Sequence, residues 1–490
     1  MLLEEFLKPL GLTRVELDAF QVSKGDLRYS SWGCRMIREL CSAALIAFFA
    51  SPTELAAAQD QEHALSMERE VERIAGERVF WPGFDPLAIP LAVYTGERTV
   101  LFRHPSPPEG FSQVRGNRPG TFALQGRHPS VTSNPSAEIG GTITATLLAD
   151  GPRADRSPAE LAATALHEAF HVYQRRRHPG WSGNEGDLFL YPTDDARLLG
   201  LRRLESAALR RALGAPDDPG AECWARLALG FRNRRFAGMD AVFSVYERLT
   251  ELNEGLATYV QLLASGQTTV EIPETEFGTA DIRERTYAIG PALAFLLDRF
   301  RPGWQAELEA DDTQVLDRML ESALGVKEGP CALPGDEIAG IGQTAHEDVT
   351  AMIAARGERR RVFDARPGWR VVVLAAEGQP LWPQGFDPLN VERVEGGVLH
   401  TRFLNLGNDA GELRAIDEVG ADIEALTDGV GPHPLFNGIR RVAVAGLGKP
   451  EIRAEGRQVT VSAPGFTARF QNARVEVNGT VVLVRLEPSR

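Results

Sequence analysis

The sequence is poor in cysteine, with four in 490 residues and no two spaced as Cys-x-x-Cys. Thiolates that close a structural zinc site usually come at that spacing, so a cysteine-held zinc is not expected. No apolar run approaches the ~20 residues that span a bilayer, and no integral membrane segment is expected. Basic stripes are missing too, and the net charge is −14, which argues against nucleic acid or an anionic membrane as partner. The sequence has no phosphate-cradling Gly-Lys-Ser/Thr loop and no nucleophile elbow. It has no short periodic array, which excludes a solenoid.

What is present belongs to a globular chain. Apolar residues make up 43%, and the length suits about two to four domains of ~100–200 residues. From Met36 a charged start, the apolar run Leu40–Ala50 and small residues at Ala56 and Ala58 read as an export signal cleaved after Ala58. The alternative is an ordinary buried helix in a cytoplasmic protein. Export would leave Cys223 and Cys331 to pair as one disulfide or to remain as buried thiols.

Texture divides the rest. Residues 1–58 form an upstream segment with the signal peptide over 36–58. Residues 59–150 open with a charged helix to about residue 80. They continue as sheet and Pro/Gly-rich loop, with strands at Leu91–Tyr94, Thr99–Phe102 and Gly141–Leu148. Ser157-Pro158-Ala159-Glu160 carries a capping serine, a proline at the first helical position and a reciprocal glutamate. It predicts a helix running to Arg177, where three arginines suit the negative end of its dipole. Further helices are predicted near 194–214, 219–236, 240–265, 281–300 and 305–323, so 151–325 is a helical block. A loop-rich linker with one short helix (346–356) fills 326–362. Residues 363–490 alternate as strands do, with a hairpin at Asn478-Gly479, and predict a separate β-sandwich-like domain. The fold class is therefore α+β. Trp81-Pro82-Gly83-Phe84-Asp85-Pro86-Leu87 recurs as Trp382-Pro383-Gln384-Gly385-Phe386-Asp387-Pro388-Leu389, each copy before a predicted hairpin. This is either a shared turn with core-plugging aromatics or a common ligand site. His63, His104, His128, His346, His400 and His433 are scattered singly and read as surface or turn residues.

One string carries chemistry. In His167-Glu168-Ala169-Phe170-His171 two histidines four apart on a helix point to one side, the bite of a mononuclear zinc site. Glu168 stands where a general base can reach a metal-bound water. Thr164, His167, His171 and Gln174 share one strip of that helix. Such a site needs a third protein ligand and one open position. A histidine or aspartate six residues past the second histidine, with a midway glycine, would mark one large class. Arg177 and Gln174 occupy those positions, so the third ligand must come from another helix. Glu247, Glu251, Glu254 and Thr258 form a strip there. Gly255 costs about 1 kcal/mol in a helix interior relative to alanine. Its small size, with that of Ala257, would let two helices approach until Glu254 reaches the metal. Glu251 is the fallback, and a solvated acidic face is the bland alternative.

Together with Asn253-Glu254-Gly255-Leu256-Ala257, the string resembles the gluzincin metallopeptidases. His167-Glu168-Ala169-Phe170-His171 matches their first motif in full. Asn253-Glu254-Gly255-Leu256-Ala257 is similar to the Asn-Glu-Gly-x-Ala of aminopeptidase-type members. The resemblance covers only about 150–325. It implies a zincin-like, mostly helical catalytic domain after a small sheet. It also implies Zn2+ held by His167, His171 and Glu254, Glu168 as general base and acid, and a peptide or protein substrate. The long separation of His171 from Glu254 implies an inserted helical pair near 194–236. The Gly-x-Met-Glu-Asn string that anchors a free amine in one branch is absent, so an aminopeptidase is not implied. Tyr287 is the candidate oxyanion donor, with Tyr191 and Arg283 behind it. Strand Thr142–Leu148 is a candidate edge for an added peptide strand. The rival expectations are an exported binding protein that keeps the fold without catalysis, and a cytoplasmic structural protein in which the motif is coincidence.

Overall fold

The computed structural model describes residues 52–488, less 107, 115–118, 133, 135, 275–276, 326–330, 388–389 and 417–422. Residues 1–63 and 64–490 are separate compact units. The described part of the first is the start of helix α1 (Pro52–Glu77), which contains Ala58, the expected cleavage residue. The apolar run Leu40–Ala50 lies outside the described residues.

In the second unit a six-stranded sheet comes first: β1 (Leu91–Tyr94), β2 (Arg98–Phe102), β3 (Ser112–Gln113), β4 (Phe122–Gln125), β5 (Ser136–Ile139) and β6 (Thr142–Leu148). Their order is β3-β4-β2-β1-β6-β5, antiparallel except for β1 against β6. β6 is thus paired on both sides and is no edge. β5 covers it, turning through Gly140 and Gly141 at φ +54 and +75. Val93, Ala145 and Leu147 bury one face of the sheet against Leu161, Ala165 and Leu166 of helix α2 (Pro158–Arg177).

α2 begins and ends where its local signals place it. Ser157 accepts from the Glu160 amide while Glu160 reaches back to the Ser157 amide, and His178 closes the last turn. Helices α3 (Ala196–Gly214) and α4 (Asp218–Ala237) pack against each other as a pair. The predicted helix 240–265 is α5 (Ala241–Thr250), a π-turn (Glu251–Gly255) and α6 (Leu256–Ala264). α7 (Ile282–Phe300) follows. The predicted helix 305–323 is broken into α8 (Trp304–Ala310) and α9 (Leu316–Leu324). The break comes where the Asp311 carboxylate takes the Thr313 amide and hydroxyl at 2.9 and 2.6 Å, a local competitor to helix continuation. Cys223 on α4 and Cys331 form a disulfide.

The stretch expected to be a loop-rich linker is instead mostly one 31-residue helix, α10 (Gly335–Ala365). Ala345 and Val349 pack on Leu199 of α3. Phe363, at its far end, is buried among Val372, Leu399, Leu426 and Ala443 of the C-terminal region. That region is two facing sheets, one of seven strands and one of six. Val371, Leu404, Leu413, Val442, Val461 and Val482 fill the space between them. The Asn478-Gly479 hairpin forms, with Gly479 at φ +57. The chain is thus α+β, a helical part followed by a β-rich region, and among the described residues no helix is long and apolar enough to cross a membrane.

Candidate metal centre

α2 is buried over two turns, and on that stretch His167 and His171 bring their Nε2 atoms to 3.0 Å of each other. The Glu254 carboxylate meets them, with Oε2 3.3 Å from His171 Nε2 and 3.8 Å from His167 Nε2. Among the described residues this is the group of His, Cys, Asp or Glu side chains whose donor atoms converge closely enough to hold a metal ion. All three side chains are buried.

Proton placement suits a cation. Gln174 donates to the carbonyls of Leu252 and Asn253 at 2.7 and 2.9 Å, so its amide orientation is set by two acceptors. Its Oε1 therefore faces His171 Nδ1, 3.0 Å away, and accepts from it. In the neutral His171 ring the proton therefore sits on Nδ1 and the Nε2 lone pair faces the centre, the way metal-binding histidines are commonly oriented. Burial lowers the His167 pKa to about 4, so that ring is neutral at pH 7. Burial opposes charge on His171 as well, but the adjacent Glu254 carboxylate outweighs it and raises that pKa. Glu254 is buried too, yet the two histidines and Arg283 hold it well below the usual carboxylate range. The His167 lone pair and the Glu254 anion thus face one point, and a cation entering there would displace the proton that Glu254 favours on His171.

The π-turn explains how Glu254 arrives. Its wider turn carries Glu254 toward α2 and offers Gln174 the carbonyls it binds. Gly255 does allow a close approach, but to α7 and not to α2. A Cβ on Gly255 would lie 2.7 Å from the Gly290 Cα and 3.2 Å from the Thr286 carbonyl oxygen. The expected glycine contact between the two ligand-bearing helices is therefore corrected. The glycine brings in the helix that bears Arg283 and Tyr287.

Arg283 donates to Glu254 Oε1 at 2.6 Å, to Tyr287 Oη at 2.8 Å and to Glu185 Oε1 at 3.2 Å. The Tyr287 ring lies parallel to that of His167, 6.3 Å between centroids. Burial and the nearby Glu254 carboxylate raise the Tyr287 pKa, so its hydroxyl keeps its proton. Glu168 is 5% exposed and its Oε2 has no hydrogen-bond partner. Burial pushes its pKa up to about 7, against the opposing influence of His171 and Asn134.

Other sequence expectations resolve differently. Tyr191 is turned away from the centre, donating to Glu247 at 2.5 Å and accepting from Arg235. Glu251 is not a ligand, because Arg232 takes its Oε2 at 2.5 Å. The alternative of a solvated acidic face does not hold, because Glu247 and Glu251 are each 1% exposed. They belong to a network that sequence reasoning missed, in which Arg232, Arg235 and Arg285 surround Glu205 at 2.9, 2.8 and 3.0 Å. Arg232 and Arg248 share Asp317 as well. The pairs Arg232/Arg235 and Glu247/Glu251 at helical spacing were its available signal. His104 and His400 are buried, not surface residues. A separate cavity of about 410 Å3, lined by Arg78, Leu213, Phe295 and Arg299 among others, contains none of the residues of the centre.

No protein-family model, no curated protein and no solved structure matches the chain.

Proposed function

We propose that this chain is a zinc-dependent metallopeptidase of the gluzincin type, acting on peptides or proteins. The observation that carries the proposal is the meeting of His167 Nε2, His171 Nε2 and Glu254 Oε2 beside a buried, unpartnered Glu168 carboxylate oxygen. The donor set, two imidazoles and one carboxylate, is that of a catalytic zinc site with an open position. Zinc held there supplies Lewis acidity, lowering the pKa of a water from ~15.7 to about 7.

Glu168 takes a proton at Oε2 and returns it to the leaving amine. A carboxylate with a pKa near the working pH serves both steps. Gln174 keeps the His171 ring oriented. Tyr287 Oη and the Arg283 guanidinium, beside Glu254, donate to the oxygen that gains charge when the peptide carbonyl is attacked. The Cys223–Cys331 disulfide supports an oxidising compartment, and hence export.

A catalytically silent binding protein is the rival reading. The free Glu168 Oε2 favours the enzyme, since a purely structural site has no use for a buried carboxylate oxygen without a partner. Metal stoichiometry and hydrolysis of a mixed peptide library, compared between the parent and Glu168→Gln, separate the two. Zinc retained with turnover lost supports the enzyme; equal turnover removes Glu168 as base, and no turnover in the zinc-loaded parent favours the silent protein.

A further inference from the structure

The repeated aromatic string separates into a buried and an exposed copy. Trp81 is 1% exposed, packed edge-on against Phe170, Trp181 and Trp304 behind α2. Trp382, its counterpart, is 46% exposed. It lies on strand Trp382–Phe386, the outermost of the six-stranded sheet. The edge of its indole comes near Gly438, 3.7 Å from where a Cβ there would stand, while Pro380 fills the nearer space at 2.6 Å. Phe436 is also 46% exposed, stacked on His433 at 4.6 Å and 6.2 Å from Phe386. Val430, 56% exposed, closes the same loop through its amide to the Gly438 carbonyl. Large apolar side chains gathered on a surface mark a contact site, because water solvates them poorly.

This patch is joined to the metal centre. His433 Nε2 donates to the Gly186 carbonyl at 2.9 Å. The Phe436 ring lies so close on Gly186 that a Cβ there would come within 2.9 Å of it. The preceding residue, Glu185, accepts from Arg283, which donates to Glu254. Bond lengths along that relay limit the distance from the Phe436 edge to the Glu254 carboxylate to roughly 20 Å, a span that about six extended residues cover.

We propose that Trp382, Phe436 and Val430 form an exosite for an aliphatic or aromatic side chain of a polypeptide substrate, within about six residues of the bond that is cut. The inference rests on the peptidase reading, because continuity with the metal centre is what selects a polypeptide as the occupant. Side chains, not an added strand, are what the patch recognises: Pro383 removes a backbone donor from this outer strand.

The test uses the full-length, zinc-loaded Glu168→Gln protein. It is titrated calorimetrically with a peptide of about twelve residues rich in Leu and Phe, with its Ser-substituted counterpart, and with a chitin-derived oligosaccharide. The apolar peptide should bind roughly tenfold more tightly than its counterpart, and adding Trp382→Ser with Phe436→Ser should abolish the difference. Val430→Ser, on the exposed rim, should reduce it and stands in if the double variant does not fold. Equal binding of the two peptides, an unchanged preference in the variants, or binding of the oligosaccharide alone overturns the exosite. A zinc-loaded parent that cleaves no peptide fails the peptidase reading instead, and the binding comparison still decides the exosite by itself.

Discussion

Gly255 and Gly290 meet backbone to backbone: a Cβ on either would come within 2.7 or 2.6 Å of the other's Cα. Through that contact α7 reaches the π-turn closely enough for Arg283 to hold Glu254. Neither backbone can yield without moving a helix. Gly255→Ala and Gly290→Ala should each cost about 1–3 kcal/mol by overpacking. Each should also weaken zinc binding, because Glu254 moves with the turn. Thermal unfolding and zinc competition against a chelator check both. A variant with parental stability and affinity would show that the turn tolerates a methyl group.

Gln174 bridges the two ligand-bearing elements, from His171 to the carbonyls of Leu252 and Asn253. Gln174→Ala should lower zinc affinity about 10- to 100-fold, the usual loss when the group that orients a metal-bound histidine is removed. Equilibrium competition with a zinc-binding dye measures this. An affinity within a factor of two of the parent would leave the ring orientation to other contacts.

The buried acids should give the fold an acid limit. Glu205, Glu247 and Asp317 are all buried, which alone would raise their pKa values, but the surrounding arginines hold them below their ordinary range. A carboxylate depressed in the folded state contributes stability that is fully present above its unfolded pKa. That stability is lost as pH falls through the folded value. The midpoint of thermal unfolding should therefore fall steeply below about pH 4, where these three contributions are lost. Asp317→Asn, which leaves Arg232 and Arg248 without their shared anion, should cost about 3–5 kcal/mol at pH 7. A parental unfolding midpoint in that variant at neutral pH would mean that the network contributes nothing net.

Cys223 and Cys331 are 108 residues apart in sequence. Closing a loop of that size restricts the unfolded chain by up to about 4.7 kcal/mol, and native disulfides commonly contribute about 2–5 kcal/mol. Cys331→Ser, or reduction, should lower the unfolding midpoint in denaturant by a corresponding amount. The metal content should be unchanged, since neither cysteine is among the converging donors. Free thiols in the purified protein, counted under denaturing conditions, would contradict the pairing.

Local chemistry was legible in residue order. Ser157, Pro158 and Glu160 start α2, and His178 ends it, because caps are settled within four residues. The pairing of His167 with His171 follows from helical spacing alone. α10 was nearly invisible for the same kind of reason. Only Ala345, Val349 and Phe363 are buried along its length, so little apolar periodicity marks it. Glu205 carried no sign of burial, and Glu247 and Glu251 only their helical spacing, since their arginine partners come from other helices.

Residue order by itself determined that two imidazoles share one helix face with a glutamate beside them, and that another helix could offer an acid. Tertiary packing decided which acid. Glu251 and Glu254 lie three residues apart on the same turn, yet Arg232 captures one and the histidines meet the other. Packing also sent one aromatic repeat inside and left the other in solvent. The reason is one of range: hydrogen bonds within a helix turn are set by neighbours in the chain, whereas the partner of a buried charge or an aromatic ring is set by whichever element folds against it.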